Sequence, residues 1–250
     1  MRIIFSRKGF DSASGGGPSP IVEGRPLTLP IPSGGHSRTR YDDLGLGEHV
    51  AHASKGKLSG EDFCHHDPMF LPDGTCLFGQ TGAAQTHLAN RGVREGDVFL
   101  FFGLFRDSRG GDPHHRFFGF LEIEHITDLA SCNDMERERL LAHDHPHAIG
   151  MHGRNDVIYA GRGHQARNAS DELRLTAPGA SPSLWRRPDW LKRGGLSYHD
   201  RLDRWRHGGL LQSVARGQEF VADIGRRQAP RRWLTNILTH MTVESSDFYN

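Results

Sequence analysis

Two short runs of this chain collect groups that move protons or hold ions: Cys64-His65-His66-Asp67-Pro68 and His143-Asp144-His145-Pro146-His147, with His152 close behind. An imidazole titrates near neutral pH and ligates metals. Beside a carboxylate it can serve as an acid–base pair or complete a divalent site. The first run nominates His65 and Asp67 as catalytic, with Pro68 fixing the backbone. The bland alternative is a polar loop whose aspartate caps the next turn. In the second run the proline argues for a loop or a strand, and on a strand His143, His145 and His147 would share one face. That spacing would suit a metal, but the reading here takes His145 as a single catalytic histidine and assigns no metal ligands. A third run, Arg216-Gly217-Gln218-Glu219-Phe220-Val221, sets Gln and Glu beside apolar residues, where they are costly to bury without partners. Glu219 reads as an arginine's ion-pair partner or as a general acid or base. Gln218 reads as a reader of a base edge, and Arg216 as its neighbour on the backbone.

Other stretches read as binding groups. The loop Ser6–Pro20 is built of Gly, Ser and Pro but begins with Arg7, Lys8 and Asp11. Small residues let backbone N–H groups approach an anion, so Arg7, Lys8, Asp11, Ser12, Gly16 and Ser19 form a candidate phosphate cradle. It is neither a Walker A loop nor a GxGxxG turn, and the alternative is a structured turn with a solvated basic pair. Gln80 lies in Leu77–Ala84, where Thr81 is placed to N-cap a helix. The segment Ser181–Trp190 and the following Leu196-Ser197-Tyr198-His199 supply Trp185, Tyr198 and His199, of which the tryptophan and tyrosine could stack on bases. Against that stands the reading in which the tryptophans plug the core.

Composition sets limits. The chain has 250 residues, 36% hydrophobic and 24% charged, with a formal net charge of +1. A chain of this length buries well over half of its unfolded surface, and we expect one domain spanning 1–250. No apolar run approaches the roughly 20 residues needed to cross a bilayer, and Met1–Phe5 enters a strand without a signal-peptide core. No membrane partner and a cytoplasmic location are therefore expected. The three cysteines, Cys64, Cys76 and Cys132, are widely spaced and include no CxxC pair, which argues against a disulfide framework and a zinc ribbon. The near-neutral charge argues against strong non-specific DNA binding, which needs many phosphate contacts. Basic residues nonetheless outnumber acidic ones more than two to one from Arg186 to Arg232.

The elements that must position these groups follow from the apolar pattern. Arg2–Phe5 is a first strand, and Leu27–Pro32 a short edge strand. Residues 33–62 form a loop with a weak helix. A helix from Ala83 stops at Gly92. Val98–Phe105 is a continuous apolar run, read as a strand buried on both faces, and Phe117–Ile126 is its antiparallel partner. Met135–Ala142 is a short charged helix; Asn155–Ala160 and Leu173–Thr176 are strands. Residues 177–209 are ordered but irregular. A final helix, Arg231–Met241, carries Trp233, Ile237 and Leu238 on one face. The fold class is α+β: a mixed or mostly antiparallel sheet core, a few short helices and long ordered loops.

The ordered set of stretches at 6–21, 65–68, 78–88, 96–106, 145–148, 173–190, 196–199 and 216–221 resembles the third family of nucleotide modification associated domains. The resemblance spans nearly the whole chain. It implies hypermodification of DNA bases, with a nucleotide or DNA as partner and other DNA-modification enzymes beside it. It fixes no reaction and no cofactor. Met69 follows Pro68 where the resemblance leads one to expect a carboxylate, and Leu104 stands where an aromatic is expected. Two rival readings remain: a non-catalytic module that binds modified bases, loosely like PUA-like barrels, and a metal-dependent hydrolase built on the histidines.

Overall fold

A computed structural model describes residues 1–35, 37–215 and 219–243. Its strands are β1 (Arg2–Arg7), β2 (Ser19–Val22), β3 (Arg25–Pro26), β4 (Met69–Phe70), β5 (Thr75–Gln80), β6 (Val98–Asp107), β7 (His114–Asp128), β8 (Val157–Gln165), β9 (Leu184–Arg186), β10 (Trp205–Arg206), β11 (Leu210–Gln212) and β12 (Glu219–Asp223). The helices are α1 (Gly47–Ala53), α2 (Gly82–Asn90), α3 (Asp134–Leu141), α4 (Pro146–Ile149) and α5 (Gln228–Thr242). This is the α+β class, built on a curled mixed sheet.

The central sheet runs β12-β1-β6-β7-β8-β5-β4, and β9, β10 and β11 form a second, small sheet. The alternation of Val98-Phe99-Leu100-Phe101-Phe102 explains why the centre is stable. Val98, Leu100 and Phe102 join Ile3, Phe5, Trp185, Leu234 and Ile237 on one face. Phe99 and Phe101 join Ile4, Phe78, Leu88 and Tyr159 on the other. Both faces are dry, as a continuous apolar run requires. Burying each such side chain contributes about 1.5–3 kcal/mol.

One feature of the topology positions the site. β1 pairs in parallel with β6 over Val98–Phe102, and β2 pairs with the same edge of β6 over Phe105–Asp107. The chain between them, residues 8–18, is expelled from the sheet edge. A side chain at Gly103 would come within 2.7 Å of the Lys8 carbonyl, so glycine on β6 makes room where the loop leaves.

Several expectations need correction. Leu27–Pro32 is not a strand: Pro30 and Pro32 lack ladder donors, and Pro32 makes only an isolated bridge to Cys64. Leu173–Thr176 is likewise limited to isolated bridges at Arg174 and Thr176. The strand β5 was not expected, because its Thr, Gly and Gln residues break the apolar pattern. The irregular segment 177–209 contains β9 and β10. Among the described residues no helix is long and apolar enough to cross a membrane.

Candidate functional site

Where β1 leaves the sheet, a cleft of about 610 Å³ opens, lined among others by Arg7, Lys8, Asp11, His65, Asp67, Gln80, His147 and His152. That volume lies within the range of small-molecule sites. The lining comes from far-separated stretches, and each arrives for a local reason.

Asp67 sits in the loop before β4, its side chain 3% exposed. Its Oδ1 accepts a hydrogen bond from the Gly79 N–H of β5 at 3.0 Å. Around it stand three imidazoles: His65 Nε2 3.7 Å away, His145 Nε2 3.6 Å and His147 Nε2 3.8 Å. Burial alone would raise the Asp67 carboxyl, but the His145 and His65 imidazoles outweigh it and hold it well below the usual range. His147 is pushed down to about 4, chiefly by burial, with Asp67 opposing. Gly79 is what lets His147 approach: a Cβ there would lie 2.3 Å from the ring. Behind His147, Asp156 Oδ2 lies 3.5 Å from Nδ1 and accepts the His152 N–H at 2.6 Å. The residue before β8 thus sets a second carboxylate on the other side of the His147 ring from Asp67, where Met69 supplies none.

His145 and His147 are not on a strand. Pro146 is the first residue of α4 and His145 its N-cap, as suits a proline with no N–H to contribute. His143 lies in the preceding turn and is exposed. The face expected for His143, His145 and His147 does not form. The histidines that converge are His65, His147 and His152, each offering a ligand atom within 4.8 Å of the others. His145 is fully buried behind Asp67.

Glu219, 1% exposed, is not part of the cleft lining but lies behind it, in contact with the lining residues Gln80 and Lys8. Register places it opposite Ser6 across the β1–β12 ladder. Its Oε1 accepts from Gln80 Nε2 at 2.7 Å, Lys8 Nζ at 3.0 Å and Ser6 Oγ at 3.1 Å. Its Oε2 is buried without a hydrogen-bond partner among the described residues. Lys8 also sits 4.4 Å from the centre of the Phe78 ring, a cation–π contact. Glu219 is thus paired with a lysine, not the arginine that sequence favoured. Arg7 donates to the carbonyls of Val214 and Ala215 at 3.0 and 3.1 Å, at the cleft rim.

The expected phosphate cradle is only partly assembled. Arg7, Lys8 and Asp11 line the cleft; Ser12, Gly16 and Ser19 do not. Asp11 Oδ1 takes the N–H groups of Ala13 and Ser14 at 2.8 Å each. Those donors would otherwise face an anion. Ser19 is buried, its hydroxyl accepting from Leu29 N–H.

The aromatic segment behaves as core. Trp185 is 2% exposed, and its indole N–H donates to His115 Nδ1 at 3.0 Å. No face is left for a base, so its expected stacking role is corrected. His199 is fully buried; its Nδ1 meets the Ser197 carbonyl, and its Nε2 accepts from Val214 N–H. Tyr198 is exposed but lies outside the cleft lining, 4.5 Å from the His87 ring. Arg216 and Gln218 lie outside the described residues. Sequence reasoning noted His152 beside the histidine run but gave it no role, and it assigned none to Asp156 or Gly79.

Residues 2–223 match the family model described as nucleotide modification associated domain 3. No curated protein and no solved structure matches the chain.

Proposed function

Because the chain belongs to the nucleotide modification associated domain 3 family, we propose that its cleft binds a nucleotide, or a base presented from DNA, and takes part in modifying it. The observation that carries this reading is the convergence of Arg7, Lys8, His65, Asp67 and Gln80 on one cleft of about 610 Å³. Its volume suits a nucleotide-sized ligand. In this reading Asp67 and His65 do the acid–base work, with His145 positioning Asp67 from behind. Arg7 holds the phosphate side. Gln80 faces the base edge, held from behind by Glu219, which Lys8 also pairs.

The test is mass spectrometry of nucleosides from DNA of cells carrying the gene and its neighbours. Deletion of this gene should remove a modified nucleoside or stall it at a precursor, and complementation with Asp67→Asn should not restore it. An unchanged nucleoside profile in the deletion strain overturns the reading. Normal product from Asp67→Asn overturns the acid–base assignment alone.

A further inference from the structure

The geometry points to a divalent transition-metal site at the floor of the cleft, with His65, His147 and His152 as its ligands. Three imidazoles, His65 from one segment and His147 and His152 from another about eighty residues later, meet with their ligand atoms within 4.8 Å of one another. Their rings stand at steep angles: 68° between His65 and His147, 66° between His65 and His152, and 75° between His147 and His152. Rings splayed in this way aim nitrogens at a common point rather than stacking. A tetrahedral ion holds imidazole nitrogens at about 2.0–2.1 Å, and so about 3.3 Å apart. The site must therefore contract by at most about 1.5 Å, and the exposed His152 is the ligand able to move.

The surroundings fit the same reading. Asp156 Oδ2 lies 3.5 Å from His147 Nδ1, which leaves Nε2 to face the ion. A carboxylate on that side of a ligating histidine suits a protonated Nδ1, although the contact is not a hydrogen bond here. Asp67 Oδ2 lies 3.7 and 3.8 Å from Nε2 of His65 and His147. Those separations are too long for hydrogen bonds, but they suit an anion beside two ligands of one cation. His145, fully buried with neither ring nitrogen hydrogen-bonded, crowds Asp67 from the far side, 3.6 Å from Oδ1, and keeps its Oδ2 toward the ligands. Gly79 is the space in which His147 sits. Three nitrogen ligands opening on a cleft leave a coordination position for water or substrate, the pattern of a catalytic rather than a structural ion. All-imidazole ligation selects zinc, iron, nickel or copper over magnesium or calcium.

The experiment uses full-length protein without a polyhistidine tag, stripped with chelator and titrated with Zn²⁺ against a chromophoric chelator. Co²⁺ substitution is followed by visible absorption. We expect one equivalent bound, with an absorption spectrum of low coordination number. His152→Ala, an exposed position that should not disturb folding, should weaken Zn²⁺ at least tenfold. Asp156→Asn should weaken it by about 10–100-fold. His143→Ala, an exposed histidine outside the cluster, should bind as the parent does. Absence of a stoichiometric ion, or equal affinity in His152→Ala, overturns the proposal. An ion on His65 would take that ring out of acid–base work and leave the proton to Asp67, but the reading that the cleft binds a nucleotide does not depend on the ion. Metal binding without a change in cellular nucleosides sinks that reading alone, and a nucleoside change without metal sinks the metal site alone.

Discussion

Lys8 and Glu219 offer the sharpest energetic test. Lys8 is 11% exposed and Glu219 1%, with Nζ and Oε1 3.0 Å apart. Lys8→Met removes the cation and leaves a buried carboxylate unanswered, which typically costs 3–5 kcal/mol. Ser6 and Gln80 still donate to the same oxygen, so the low end, about 3 kcal/mol, is expected. Glu219→Gln should cost less, about 1–2 kcal/mol. The lysine that remains keeps the Phe78 ring beneath it and can turn toward the cleft. The double variant buries no charge at all. It should be no less stable than Lys8→Met alone, which gives a coupling energy of at least about 1–2 kcal/mol. Urea unfolding of the four proteins measures this. Additivity within about 0.5 kcal/mol would refute the claim that Glu219 is held as a charged partner of Lys8. If Glu219 also acts in the cleft, the double variant regains stability without regaining nucleoside modification.

Gly79→Ala should crowd the His147 ring, since the new Cβ would lie 2.3 Å from it; about 1–3 kcal/mol of stability should be lost, together with most Zn²⁺ affinity, as read by unfolding and chelator competition. Trp185→Ala should cost about 3–5 kcal/mol, because its indole is buried against Phe5, Phe102 and Phe220; unchanged stability with weakened DNA binding would restore the stacking role. Burial pushes His115 down to about 3, below its unfolded value of about 6.5. The unfolded chain therefore takes up the proton first, and stability falls as pH drops from 6.5 toward 3 while staying flat for this group above that window. At pH 5 the loss from His115 is about 2 kcal/mol. His115→Gln, which keeps an acceptor for the Trp185 indole, should flatten the fall in urea midpoint between pH 7 and pH 5 by that amount.

What the sequence revealed depended on whether the signal was local. The strands β1, β6 and β7 and the helix α2 were legible because apolar runs and a glycine stop are one-dimensional patterns. α5 was legible from the stripe of Trp233, Ile237 and Leu238. β5 was hidden because it is buried beside a site: Gly79 and Gln80 are there for His147 and Glu219, not for the strand pattern. The same split governs the site. His65, Asp67 and His145 were visible as clusters of chemistry-bearing types. That His65 faces His147 and His152 was not, because about eighty residues separate them and only the β5–β8 pairing brings their segments together. Trp185 and His199 were misplaced because composition cannot tell a tryptophan that stacks on a ligand from one that fills a core.

Two buried carboxylates, Asp67 in the cleft lining and Glu219 behind it, are answered in different ways. Glu219 has a lysine ammonium at 3.0 Å and two further donors on the same oxygen, so its charge is met by the fold itself. Asp67 has one firm donor, the Gly79 N–H. Its other charged or chargeable neighbours, among the described residues, are histidines at 3.6–3.8 Å. A buried anion without a fixed cation is expensive, and folds retain such groups where a ligand or a proton completes them. Glu219 therefore serves to fix Gln80 and Lys8 at the cleft wall. On the proposed readings, Asp67 is the carboxylate whose surroundings an arriving ion or substrate would change. Exchanging the two environments, by Lys8→Met at one and loss of His152 at the other, should affect stability at the first and ligand affinity at the second.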